Sequence, residues 1–148
     1  IVSNEPSDLL SPSTYGSSDA AEYFRGLDDK AMAGKQIRPS NGHIATTSVA
    51  AAKEWGGYAA SVWPLSNGGN SDSNVHFAWP EGGGDFWPSA AAAGTTIIVD
   101  RVDCGKDSLD YALERDNTEI MFRADRYLLV PVSMEDRLVS RLRNAFLI

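Results

Sequence analysis

The chain has 148 residues, 43% of them hydrophobic, and a formal net charge of -7. That length supports one buried core and is short for two, while the acidic balance excludes a generic phosphate-binding surface, which needs an excess of Lys and Arg. A single cysteine, Cys104, excludes an internal disulfide framework and a Cys-rich zinc site, and the two histidines, His43 and His76, form no HExxH pattern, so no metal is expected.

Residues 1–18 are rich in Ser, Pro, Asn and Gly and read as an N-terminal linker-like segment, leaving 19–148 as the domain proper. Residues 20–27 form a short element that carries Tyr23 and Phe24, and 30–38 a helical turn or loop ended by Pro39. Residues 43–48 read as a strand. Residues 49–55 have the alanines and the Lys-Glu pair of a short helix, with Ser48 placed to cap its start and Gly56-Gly57 to stop it.

Residues 58–65 and 74–79 alternate as strands do, and the polar stretch 66–73 joins them as a loop. A second flexible connection is Glu81-Gly82-Gly83-Gly84-Asp85, which lacks the GxxxxGK[ST] order of a phosphate-binding loop. The continuous apolar run Ile97-Ile98-Val99 marks 95–102 as a buried strand. Residues 119–122 and 127–132 are two further strands, and a helix over 134–146 gathers Met134, Leu138, Leu142 and Phe146 on one face. Residues 123–148 carry Arg123, Arg126, Arg137, Arg141 and Arg143 against Asp125, Glu135 and Asp136, so this end is locally basic. No apolar run approaches the roughly 20 residues of a membrane-spanning helix, so a soluble protein with no membrane partner is expected.

Three segments carry chemistry in a fixed order: Tyr23-Phe24-Arg25-Gly26, then His43-Ile44-Ala45-Thr46-Thr47-Ser48, then Asn117-Thr118-Glu119-Ile120-Met121-Phe122. Alone, Arg25 would be a surface ion-pair residue and Glu119 a solvent-facing strand residue. Together, over roughly residues 20–133, they resemble the arginine, Ser-Thr-Ser and glutamate motifs of the ADP-ribosyltransferase toxin superfamily. The resemblance implies an α+β class: a compact mixed fold with a split β-sandwich-like core and few short helices, its catalytic domain spanning 19–148.

It also implies roles. Glu119 would stabilise the ribosyl cation formed when NAD+ loses nicotinamide, because a carboxylate suits a developing positive charge. Thr46 would orient Glu119 by a hydrogen bond. Arg25, implied to lie on the first strand, would anchor NAD+ through its charged fork, with Gly26 allowing close approach and Thr47 and Ser48 completing the cofactor-binding set. A register with Ala45 in the place of Thr46 is also open.

Two residues before the glutamate stands Asn117, where many members of the superfamily carry Glu or Gln; its amide cannot act as a base, which argues against arginine modification of the two-glutamate kind. Residues 106–117 would form the acceptor-recognition turn, with Tyr111 as its exposed aromatic or packed beneath the loop. The implied protein is an effector delivered to a target-cell cytoplasm, acting on a macromolecular acceptor, protein or RNA, and held in check by a cognate immunity protein. An NAD+ glycohydrolase with the same pocket and a non-enzymatic β-rich binding or assembly module are the alternatives.

Overall fold

Ala20, Phe24 and Leu27 recur at steps of four and three, the spacing that gathers apolar side chains on one face of a helix. In the computed structural model, which describes residues 2–3, 18–66, 74–87, 96–99, 105 and 108–146, they do so: α1 spans Ser18–Gly26 and buries Ala20, Ala21 and Phe24. Arg25 therefore sits in the last turn of a helix, which corrects the strand position implied for it. A strand buried on one face would alternate apolar and polar residues, and this segment has helical spacing instead.

The helix continues into a π-helical turn, Leu27–Ala31, closed by the Met32 amide on the Leu27 carbonyl at 2.8 Å. Asp28 is buried and pins the following loop. It accepts the Ser40 amide at 2.6 Å and lies 3.6 Å from the Arg38 guanidinium. The loop then closes on the core through Gly42, where a Cβ would stand only 2.7 Å from the Met121 side chain. Any larger residue there would press on Met121 and on the Arg38 carbonyl.

Strand β2 is His43–Thr46, and α2 is Val49–Gly56, with the Ser48 hydroxyl accepting the Ala51 amide and Gly57 ending the helix at φ 77. These follow the local signals closely. Strands β3 (Ala60–Pro64), β4 (His76–Pro80) and β5 (Ile97–Val99) fall within or beside the expected segments. A short helix, α3 (Leu109–Leu113), capped by Ser108, occupies the stretch expected to be a turn. Strands β6 (Glu119–Arg123) and β7 (Arg126–Pro131) come next, then a 3-10 turn (Val132–Met134) and α4 (Glu135–Phe146). Cys104 lies outside the described residues. Of the expected linker, Val2–Ser3 pairs with β7 as strand β1, α1 begins at Ser18, and the rest also lies outside them.

The strands form two antiparallel sheets, ordered β1-β7-β3 and β2-β6-β4-β5, so the class is α+β as expected. His43 and Phe122 from the larger sheet meet Tyr127 of the smaller one at ring separations of 5.8 and 5.3 Å. Strand β6 is central and buried on both faces. Met121 joins Phe24, Leu27, Met32, Ile37, Ala78 and Phe86 on the side of α1, whereas Ile120 joins Trp79, Ile98 and Ala112 on the side of α3. Because side chains alternate along a strand, Glu119 shares the face of Met121 and is carried toward α1. Among the described residues no helix is long and apolar enough to cross a membrane.

Candidate active site

Strand pairing sets the position of Glu119. In the β2–β6 ladder Thr46 lies opposite Glu119, and residues directly opposite in an antiparallel pair present their side chains on the same face. Thr47 extends the pairing by one step with three hydrogen bonds. Its amide donates to the Thr118 carbonyl at 2.9 Å, its Oγ1 accepts the Thr118 amide at 2.9 Å, and the same hydroxyl donates to the Arg115 carbonyl at 2.5 Å. These contacts fix the turn that feeds β6.

On the other side of Glu119 runs the glycine-rich loop. Gly82, Gly83 and Gly84 all have positive φ, between 80 and 94, a conformation that other residues rarely adopt. At Gly83 even the space is closed: a Cβ would meet the Arg115 Nε and the Thr118 hydroxyl at 2.8 Å each. The loop hydrogen-bonds to the strand, the Glu119 amide donating to the Gly84 carbonyl at 2.9 Å and the Gly84 amide to the Thr118 Oγ1 at 3.4 Å. It thereby delivers Asp85 and Phe86 to the carboxylate and Trp87 to Tyr23. The Phe86 amide donates to Glu119 Oε2 at 2.7 Å.

Glu119 is 6% exposed. Burial pushes its carboxyl up from 4.5 to about 7, with Asp85 adding to the rise and the Phe86 hydrogen bond opposing it. Tyr23 of α1 borders the same space, its ring edge-on to Phe24 at 5.4 Å and tilted against Trp87 at 5.3 Å. A buried carboxyl that titrates near neutrality beside aromatic rings is the kind of group that active sites assemble.

The other expected site residues are placed as follows. Thr46 lies beside Glu119, yet its Oγ1 accepts the Ser48 amide at 3.1 Å, and among the described residues it makes no bond to the carboxylate. The orienting bond expected from Thr46 is supplied by Phe86. Thr47 binds the turn before β6 and Ser48 caps α2, so both hydroxyls are engaged in local structure. With Ala45 opposite Ile120, the alternative register would put Ala45 one place away from the glutamate. Arg25 is exposed and Gly26 half-buried at the end of α1, the helix that also carries Tyr23.

Tyr111 is half-buried, and its hydroxyl accepts from the Arg115 Nη1 at 2.7 Å while the guanidinium lies 5.3 Å from its ring centre. Asn117 is exposed at φ 54, a left-handed conformation that Asn tolerates better than most residues. Tyr23, Asp85, Phe86 and Arg115 were not singled out from the sequence as site residues. The signal for the loop was present in its three consecutive glycines, the residue type that takes positive φ without strain. No protein-family model, curated protein or solved structure matches the chain.

Proposed function

We propose that the domain is a mono-ADP-ribosyltransferase that cleaves NAD+ and passes ADP-ribose to a macromolecular acceptor. One observation carries this: the hydroxyl segment and the glutamate segment, far apart in the chain, are joined in register so that Thr46 lies opposite Glu119. A carboxylate enclosed by protein is suited to the reaction. The bond from the ribose carbon to the pyridinium nitrogen breaks, its electron pair leaves with neutral nicotinamide, and the sugar carbon becomes cationic. Glu119 would stabilise that cation more strongly in its low-dielectric surroundings than in water. A lone pair of the acceptor then forms the new bond to the sugar carbon, and the acceptor proton is released.

Arg25 supplies the only charge in the arginine motif and stands on the helix that presents Tyr23, so we assign it the phosphates of NAD+. Asn117 and Tyr111 flank the turn leading into β6, a place from which an acceptor could be met. By the same resemblance we propose an effector working in a target-cell cytoplasm, opposed by a cognate immunity protein.

The test uses NAD+ labelled in the adenylate half, a whole-cell extract, the wild type and Glu119→Gln. Label transferred to the protein or the nucleic-acid fraction by the wild type, and lost with Glu119→Gln, supports the transferase and identifies the acceptor class. Release of free ADP-ribose alone would replace it with a glycohydrolase. No consumption of NAD+ would leave the binding module.

A further inference from the structure

Among the described residues, the Tyr23 hydroxyl is the one buried side-chain polar atom without a hydrogen-bond partner. Such atoms are rare because losing water without gaining a partner costs free energy, so an orphan beside a charged group calls for a reason. The ring is held by Phe24 on its own helix and by Trp87 from the glycine loop. Trp87 follows Phe86, whose amide holds one oxygen of Glu119.

The hydroxyl is within electrostatic reach of the Glu119 carboxylate. Burial first, and then that negative charge, push the Tyr23 hydroxyl up to about 12, so it keeps its proton at neutral pH and remains a donor. Glu119 has capacity to spare. Among the described residues it accepts a single hydrogen bond, on Oε2, whereas an ionised carboxylate has about four acceptor sites.

We propose that Tyr23 is a positioning residue for Glu119, its hydroxyl a reserve donor that the carboxylate engages by a side-chain rotation when it becomes negatively charged. Its catalytic consequence rests on the assignment of Glu119 to NAD+ cleavage. The hydroxyl is itself enclosed, so it acts through Glu119 and not on substrate. Among the described residues, the ionisable groups that bear on Glu119 are Asp85 from the loop and Tyr23 from α1. The first opposes its charge, and the second would favour it once the bond forms.

The experiment is Tyr23→Phe, which keeps the ring and removes only the hydroxyl. The titration of Glu119 is followed by carbon NMR of the carboxyl-labelled protein, with Glu119→Gln assigning its signal. Loss of a donor to the charged form should raise the Glu119 midpoint by about one pH unit, and the acid limb of NAD+ cleavage should move with it. At a pH where Glu119 is neutral, Tm should not fall, because an orphaned polar atom has been removed. An unchanged midpoint overturns the proposal, as does a lower Tm with no change in midpoint, which would reduce Tyr23 to packing. The NMR midpoint needs no substrate, so a wild type that leaves NAD+ intact would remove the enzymatic assignment while the coupling is still decided.

Discussion

The amide of Phe86 donates to Oε2 of Glu119 at 2.7 Å, tying a loop of glycines to the carboxylate at the start of β6. That single bond does not offset burial, and the carboxyl remains raised to about 7. The folded protein therefore holds this proton more tightly than the unfolded chain, whose ordinary value is 4.5. The stability contributed is fully present below the lower value and is lost as pH rises through the upper one.

Glu119→Gln should accordingly become more stable relative to wild type as pH rises from about 4 to 8, by at most about 3 kcal/mol across the window. Urea unfolding at several pH values measures it. A constant difference between the two proteins would show that Glu119 titrates normally and is not enclosed.

The same ionisation bears on rate. If the carboxylate is the form that works, NAD+ cleavage should climb with pH and level off above about 7 to 8, following the raised midpoint. Glu119→Gln should lower the plateau by roughly 10² to 10³. Initial rates of nicotinamide release from pH 5 to 9 check both.

Thr47→Val should destabilise the fold by about 1–2 kcal/mol, because the Thr118 amide and the Arg115 carbonyl lose one shared hydroxyl. The effect should appear in thermal unfolding with no change in the NAD+ dependence of what remains folded. A weakened affinity for NAD+ at unchanged stability would instead return Thr47 to the substrate.

Gly83→Ala faces two obstacles, a positive φ of 85 and atoms of Arg115 and Thr118 at 2.8 Å from the new methyl group. A loss of about 1–3 kcal/mol is expected from the backbone alone. The Arg115 chain can swing aside, but Thr118 is fully buried. The loop should then withdraw from β6, and the Phe86 amide signal in a proton-nitrogen spectrum should report the lost bond to Glu119.

Asn117 separates turn geometry from acceptor choice. Asn117→Gly suits φ 54 and should keep stability within about 0.5 kcal/mol, whereas Asn117→Ala is strained there by about 1 kcal/mol. If the amide contacts the acceptor, both variants should lose transfer while retaining NAD+ hydrolysis. Transfer retained by Asn117→Gly would confine this residue to the turn.

The elements legible in the sequence were those whose signals are local. Ser48 and the Gly56-Gly57 pair bracket α2 because a cap and a left-handed stop act within one turn of the chain. Strands β6 and β7 showed in their apolar runs, whereas the α+β class followed from the motif resemblance. The helical state of Ser18–Gly26 was also written there, in the spacing of Ala20, Phe24 and Leu27, although the motif around Arg25 pointed to a strand. Tertiary structure alone decided that Glu119 is buried, that Phe86 holds it in place of Thr46, and that Tyr23 arrives beside it with a hydroxyl unmatched. The acidity of a carboxyl depends on which groups surround it and how much water reaches it, and those neighbours come from three separate stretches of chain that only packing brings together.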